Sequence, residues 1–182
     1  MKSFMLYVIT FSFFLFVFAA QAQTIKVGLG GGYTTITSST STFDSGFHYG
    51  GKVVVGLPMI PLYFTANLYS NPLSKEVAGI THESSFFSTG LGAELTLLPG
   101  PLKPYLAAEF LITSIGESKI GDVTYSESLS KSGLGLGAGV YFTLLPIIDL
   151  DLSAHYNMNT LLSSGDDLNS LHIRLNVLIS IL

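Results

Sequence analysis

The sequence predicts an all-β fold: eight antiparallel strands, connected up and down and closed into a transmembrane β-barrel. Three observations predict it. Segments in which apolar and polar residues alternate fill the chain after residue 23, and a two-residue period belongs to a strand, not a helix. Hydrophobic residues make up 48% of the chain and charged residues 11%, where a soluble domain carries about 25% charged; mean hydropathy is +0.53. Beyond the N-terminal leader, no stretch offers the roughly 18 uninterrupted apolar residues of a membrane helix. Apolarity spread over alternating strands is the pattern of a membrane barrel.

The leader reads as a secretory signal. Lys2 is its positive end, Phe4 to Ala20 its apolar core, and Ala20-Gln21-Ala22 a small-x-small cleavage site. Residues 1–22 are therefore expected to be a signal peptide and 23–182 the barrel domain. Intact mass should place the mature start at Gln23, and the protein should fractionate with the outer membrane. A soluble periplasmic protein with the same start would overturn the membrane reading. The chain has no cysteine, so it carries no disulfide framework and no thiolate metal site. Stability must come from complete backbone pairing, which a closed barrel in lipid provides.

The strands are placed at 24–37, 46–57, 61–71, 85–98, 103–114, 132–144, 148–160 and 168–182. The first carries Lys26, Gly28, Gly30 and Gly32 on its polar face. The second, fourth and sixth are glycine-led and descend to a turn proline, in Gly50–Pro58, Gly92–Pro99 and Gly137–Pro146. Each is followed by an ascending strand with a mid-strand alanine, Ala66, Ala108 or Ala154, so the repeating unit is a hairpin. The last is the clearest. Leu171, Ile173, Leu175, Val177, Ile179 and Ile181 form an aliphatic face against a mostly polar one of His172, Arg174, Asn176, Leu178, Ser180 and Leu182.

Short connections, Leu57–Pro61, Pro99–Leu102 and Leu145–Ile148, alternate with the longer stretches 38–45, 72–84, 115–131 and 161–167, which are rich in Ser, Thr, Asp, Glu and Gly. Proline has no N–H to give a ladder and belongs at turns or strand ends. Short turns on one side and long loops on the other fit a membrane barrel, with the turns and both termini periplasmic.

Alternation alone does not say which face points inward. The polar face decides. It is built mostly of Gly, Ser, Thr and Asn, including His48, Gly50, Lys52 and Gly56 in the second strand, Ser88, Gly90, Gly92, Glu94 and Thr96 in the fourth, and Gly133, Gly135, Gly137 and Gly139 in the sixth. A water-facing wall would be rich in Lys and Glu; this one suits a crowded lumen. The apolar face then meets lipid, with Phe47, Tyr49, Phe87, Phe110, Phe142 and Tyr156 toward the strand ends, as in aromatic girdles.

The candidate functional residues are a lumen charge network of Lys26, Lys52 and Arg174 against Glu94, Glu109 and Asp151. Folding about Pro99–Leu102 is expected to set Glu94 opposite Glu109, with Lys52 and Arg174 neutralising the two like charges. Lys103 and Asp149 are assigned to the turns. Lys75, Lys119 and Lys131 lie among eight acids on the loops, Asp44, Glu76, Glu83, Glu117, Asp122, Glu127, Asp166 and Asp167, and read as a solvated surface. Tyr63, Tyr69, Tyr105 and Tyr141 are expected to help fill a lumen too narrow for a wide pore. No basic patch exists for nucleic acid. His48, His155 and His172 share no metal-ligand spacing, and no cofactor is expected.

These features resemble the small eight-stranded outer-membrane β-barrels, the family of the outer-membrane protein A transmembrane domain and of outer-membrane protein X. The resemblance covers nearly all of the mature chain. It implies residence in the cell outer membrane among lipid and lipopolysaccharide, insertion by the outer-membrane assembly machinery, and a monomer. It implies a non-enzymatic role in envelope integrity or surface interaction through the loops. Such barrels usually end in an aromatic that the machinery reads; here the last residues are Ile179-Ser180-Ile181-Leu182. Some relatives deacylate lipid A with a serine, a histidine two residues before it and a downstream acid. The nearest stretch here, His155-Tyr156-Asn157, has an amide where the nucleophile would stand, and Ser163, Ser164 and Asp166 lack the spacing. A deacylase-like enzyme and a surface adhesin are the alternatives.

Overall fold

The computed structural model describes residues 24–37, 45–57, 60–77, 80–120, 123–125, 129–162 and 169–181. The expected signal peptide, its cleavage site, and Ser163, Ser164 and Asp166 lie outside the described residues. The elements are β1 (Thr24–Ile36), β2 (Gly46–Gly56), β3 (Leu62–Val77), β4 (Ile80–Thr96), β5 (Leu102–Ile120), β6 (Val123–Tyr125), β7 (Leu129–Leu145), β8 (Ile148–Met158) and β9 (Asn169–Ser180). The described residues contain no helix.

Every ladder is antiparallel. The strand order runs β4-β3-β2-β1-β9-β8-β7-β5, and pairing of β4 with β5 closes the ring. The barrel therefore has eight strands, joined up and down as the sequence predicts. β6 stands outside the ring and pairs only with Ser118–Ile120 of β5. β1 meets β9 from Lys26↔Ser180 to Ile36↔Ser170, so the first and last barrel strands leave no edge.

Alternation sorts the side chains. From Ser170 to Ile179 of β9, every even residue is buried and every odd one exposed. The outer surface is aliphatic and aromatic around the barrel, and Leu29 at 76% and Phe47 at 74% are its most exposed members. The lumen is filled by Tyr69, Tyr105, Tyr141, Leu111 and Leu178 together with the polar groups described below. The glycine runs make room for them. A Cβ on Gly139 would meet the Tyr105 ring, one on Gly50 the Tyr69 ring, and one on Gly137 the His155 ring. Tyr105, Tyr69 and His155 thus each lie over a glycine of the neighbouring strand.

The stretches 72–84 and 115–131, expected as loops, are largely strand. β3 continues to Val77 and pairs with β4 through Val77↔Ile80. β4 and β5 stay paired to His82↔Ile120, past a bulge between Ser84 and Phe86. These segments carry no apolar alternation, and backbone pairing within each hairpin places them in strands. The β2–β3 ladder ends at Tyr49↔Ser70 and the β5–β7 ladder at Ile115↔Leu129. A sheet in the order β3-β4-β5-β6 therefore rises above the rim at the loop end.

At the other end the strands are joined tightly. Gly100 has φ 123° in the β4–β5 turn, a left-handed conformation that favours glycine.

Candidate functional site

The lumen holds a continuous network of charges and hydroxyls. At the turn end, Lys26 Nζ lies 2.5 Å from Asp149 Oδ2, and Thr143 donates to Asp149 Oδ1 at 2.6 Å. In the next layer Lys52 Nζ serves two acids, Glu94 Oε1 at 2.6 Å and Asp151 Oδ2 at 2.8 Å. The Tyr141 hydroxyl donates to Glu94 Oε2, and the Tyr105 hydroxyl donates to Asp151 Oδ1 at 2.5 Å. The two tyrosine rings stack with centroids 4.8 Å apart, and Lys52 Nζ lies 5.3 and 5.1 Å from them. Cation–π attraction thus adds to the ion pairs.

Above this layer, Arg174 Nη2 meets Glu109 Oε1 at 3.0 Å, joined by His155 Nδ1 at 3.2 Å. Asn67 Nδ2 donates to Glu109 Oε2 at 3.0 Å. The guanidinium also lies 4.6 Å over the Tyr69 ring. At the loop end the network turns neutral. Thr34 Oγ1 lies 2.8 Å from His48 Nδ1 and 3.1 Å from His172 Nδ1, and donates to Asn71 Oδ1. Ser170 Oγ sits 2.9 Å from His172 Nε2 and accepts from Asn159 Nδ2.

All six residues of the sequence-derived network lie in the lumen, none more than 4% exposed, and each is ion-paired. Two expectations need correction. Asp149 is not a turn charge; it is buried in the lumen and is the partner of Lys26. The missed signal was parity: Asp149 shares the face of Asp151, two residues on. Glu94 also does not stand opposite Glu109. The register is Glu94↔Ala107 and Gly92↔Glu109, so the acids are diagonal and each has its own cation. The turn lies where the prolines place it, and reflection about Pro99–Leu102 itself sets Glu94 against Ala107.

Corrected in this way, the network sets four carboxylates against Lys26, Lys52 and Arg174, with His155 beside Glu109. Charges taken out of water are tolerated only when their remaining hydrogen-bonding capacity is met. Tyrosine hydroxyls and asparagine amides do that for Glu94, Asp151 and Glu109, while Arg174 Nε is left without a partner. A vestibule of about 410 Å³ opens at the turn end and ends on the Lys26–Asp149 pair.

His48 and His172 share Thr34 with ring centroids 5.3 Å apart, and His155, across from His172, lies 3.2 Å from Glu109 through Nδ1. Among the described residues, no group of three or more His, Cys, Asp or Glu side chains could hold a metal. In His155-Tyr156-Asn157, the histidine and asparagine point into the lumen and only Tyr156 faces outward. The Ser170–His172 contact, which sequence reasoning did not find, has a threonine where a hydrolase would have an acid, and both residues are buried.

A closed antiparallel ring, apolar outside and polar within, defines a transmembrane β-barrel. The chain matches the outer membrane protein beta-barrel domain family over residues 9–178, and it belongs to that family. It is similar in structure to Neisserial surface protein A, with TM-score 0.67, 20% identity, and coverage of 85% of this chain and 96% of that one. It is similar also to Ail, the attachment invasion locus protein of Yersinia pestis, with TM-score 0.60, 17% identity, and coverage of 87% and 98%. The N-terminal β-barrel domain of Pseudomonas aeruginosa OprF gives TM-score 0.58 at 15% identity, covering 88% of this chain and all of that one. No curated protein matches it in sequence. The protein is an outer-membrane protein whose transmembrane strands lie among outer-membrane lipid.

Proposed function

We propose that this is a non-enzymatic barrel with a plugged lumen, which serves the envelope through its outer surface and its loop end. It is inserted by the outer-membrane assembly machinery and acts as a monomer. The observation that carries this reading is the lumen itself. Lys52, Glu94, Asp151, Tyr105 and Tyr141 bond to one another across it, and Arg174 and Glu109 close the layer above. An eight-stranded barrel has an interior just wide enough for its own side chains. Planar-bilayer recording of the pure protein should therefore give no stable large conductance. Reproducible nanosiemens steps would show that the plug does not hold. Lipid A from a deletion strain should match that of the parent, and a change in its acylation that is restored by the wild-type gene would support a lipid-modifying enzyme instead.

A second reading, surface adhesion, is favoured by one feature. Asn71–Val77 of β3 pairs with β4 but has no partner on its β2 side among the described residues. An unpaired edge above the membrane can accept a strand from another protein. Replacing 74–83 with a two-residue turn should then abolish binding of whole cells to an immobilised extracellular-matrix protein while leaving the barrel folded. Unchanged binding would remove this reading.

A further inference from the structure

The turn end is apolar where a water-facing end would be polar. Turns in water favour Gly, Asn, Asp and Ser, whose backbone preferences and side chains suit them. Here 57–61, 97–102 and 144–148 contain only Leu, Ile, Met, Pro and a single glycine. Ile60, Leu97, Leu98, Leu145 and Ile147 are each at least half exposed. The nearest charges, Lys103 and Asp149, line the vestibule and so face the lumen mouth.

The backbone tells the same story. Pro58, Pro61, Pro99, Pro101 and Pro146, five of the seven prolines in the chain, fall in these turns and bring no N–H that needs a partner. Three of the carbonyls are taken by neighbouring strands: Thr96 donates to Pro61, Thr143 to Pro101 and Ser180 to Ile147, each at 2.8 Å. Each missing donor and each bonded carbonyl lowers the cost of bringing a turn into lipid.

Height agrees. The outward residues of β9 run from Leu171 to Ile181. Ten residue steps at about 3.4 Å with a tilt near 40° span roughly 26 Å of membrane normal, the thickness of the apolar band. Ser180 bonds to Ile147, so the β7–β8 turn lies at the lower margin of that band and not below it. The lipid-facing surface continues without a break from Leu95, Phe142 and Ile179 onto Leu97, Leu145 and Ile147.

We propose that the three turns are embedded in the inner leaflet of the outer membrane, so that lipid is the partner of this surface, not water, a second copy or a periplasmic protein. The vestibule then opens from this end to the periplasm. The chain has no tryptophan, so a single one is a clean reporter. Leu98→Trp, Leu145→Trp and Ile147→Trp would be placed singly in phosphatidylcholine nanodiscs, which leave both faces open to solutes, with folding checked by heat-modifiable gel mobility. The expected result is blue-shifted emission that loses intensity with acyl-brominated phosphatidylcholine and not with iodide. Emission quenched by iodide and not by brominated lipid would place the turns in water. Emission quenched by neither would place them under protein. Either result overturns the proposal, and the three positions report independently if one variant fails to fold.

Discussion

Lys52→Leu is expected to lower the urea unfolding midpoint further than any other single charge removal in the lumen, with lipid or detergent held fixed. Removing one partner of a buried ion pair costs about 3–5 kcal/mol, because the other charge stays buried without compensation. Lys52 leaves two such charges, Glu94 and Asp151, whose remaining bonds come from neutral tyrosine and asparagine groups. Arg174→Leu should cost less, since Glu109 keeps His155 and Asn67. Lys26→Leu should cost least, since Asp149 borders the vestibule and can be rehydrated. Adding Glu94→Gln to Lys52→Leu should recover part of the loss by removing one orphaned charge. If Lys52→Leu and Arg174→Leu both unfold like wild type, the lumen charges are not coupled and the network is not what holds the interior together.

Gly32→Ala and Gly51→Ala should separate sharply, although both glycines lie within the paired β1–β2 hairpin. A Cβ on Gly32 would point into the lumen and stand 1.8 Å from the Ile173 carbonyl oxygen and 2.8 Å from His48 Nε2. The first obstacle is backbone, so a side-chain rotation cannot relieve it. Overpacking of this kind costs about 1–3 kcal/mol, occasionally more. On Gly51 the nearest atoms would be the Gly28 carbonyl oxygen at 3.4 Å and Leu29 Cδ2 at 3.7 Å, ordinary contact distances. Its substitution should stay within about 0.5 kcal/mol of wild type. The same urea titration measures both. Equal effects would mean that Gly32 is not needed for the close approach of the neighbouring β9 backbone.

Much of this was legible in the residues. The period of two placed the barrel strands, and the pale polar face of Gly, Ser and Thr, with few charges, pointed it at a lumen. Parity put Lys26, Lys52, Glu94, Glu109, Asp151 and Arg174 on that face, and all six are buried there. The same tool would have found Asp149, had its nearness to a proline turn not outweighed its shared face with Asp151. The paired stretches of β3, β4 and β5 above the rim were not legible. Alternation was the signal used to place strands, and these stretches do not carry it; their backbone pairing shows only in the ladders.

By itself, then, the sequence determined which residues form the transmembrane strands and which share a face, because alternation is a local property that any short segment carries in full. It pointed to the outer membrane as the setting through the apolar excess and the lumen-like polar face. Only the tertiary structure decided which groups meet. Lys52 on β2 reaches Glu94 on β4 and Asp151 on β8, the latter 99 residues away, and Arg174 on β9 crosses to Glu109 on β5. None of these pairs lies on adjacent strands. Contacts across a lumen depend on strand number, tilt and stagger together, and those belong to the closed ring and to no segment of it.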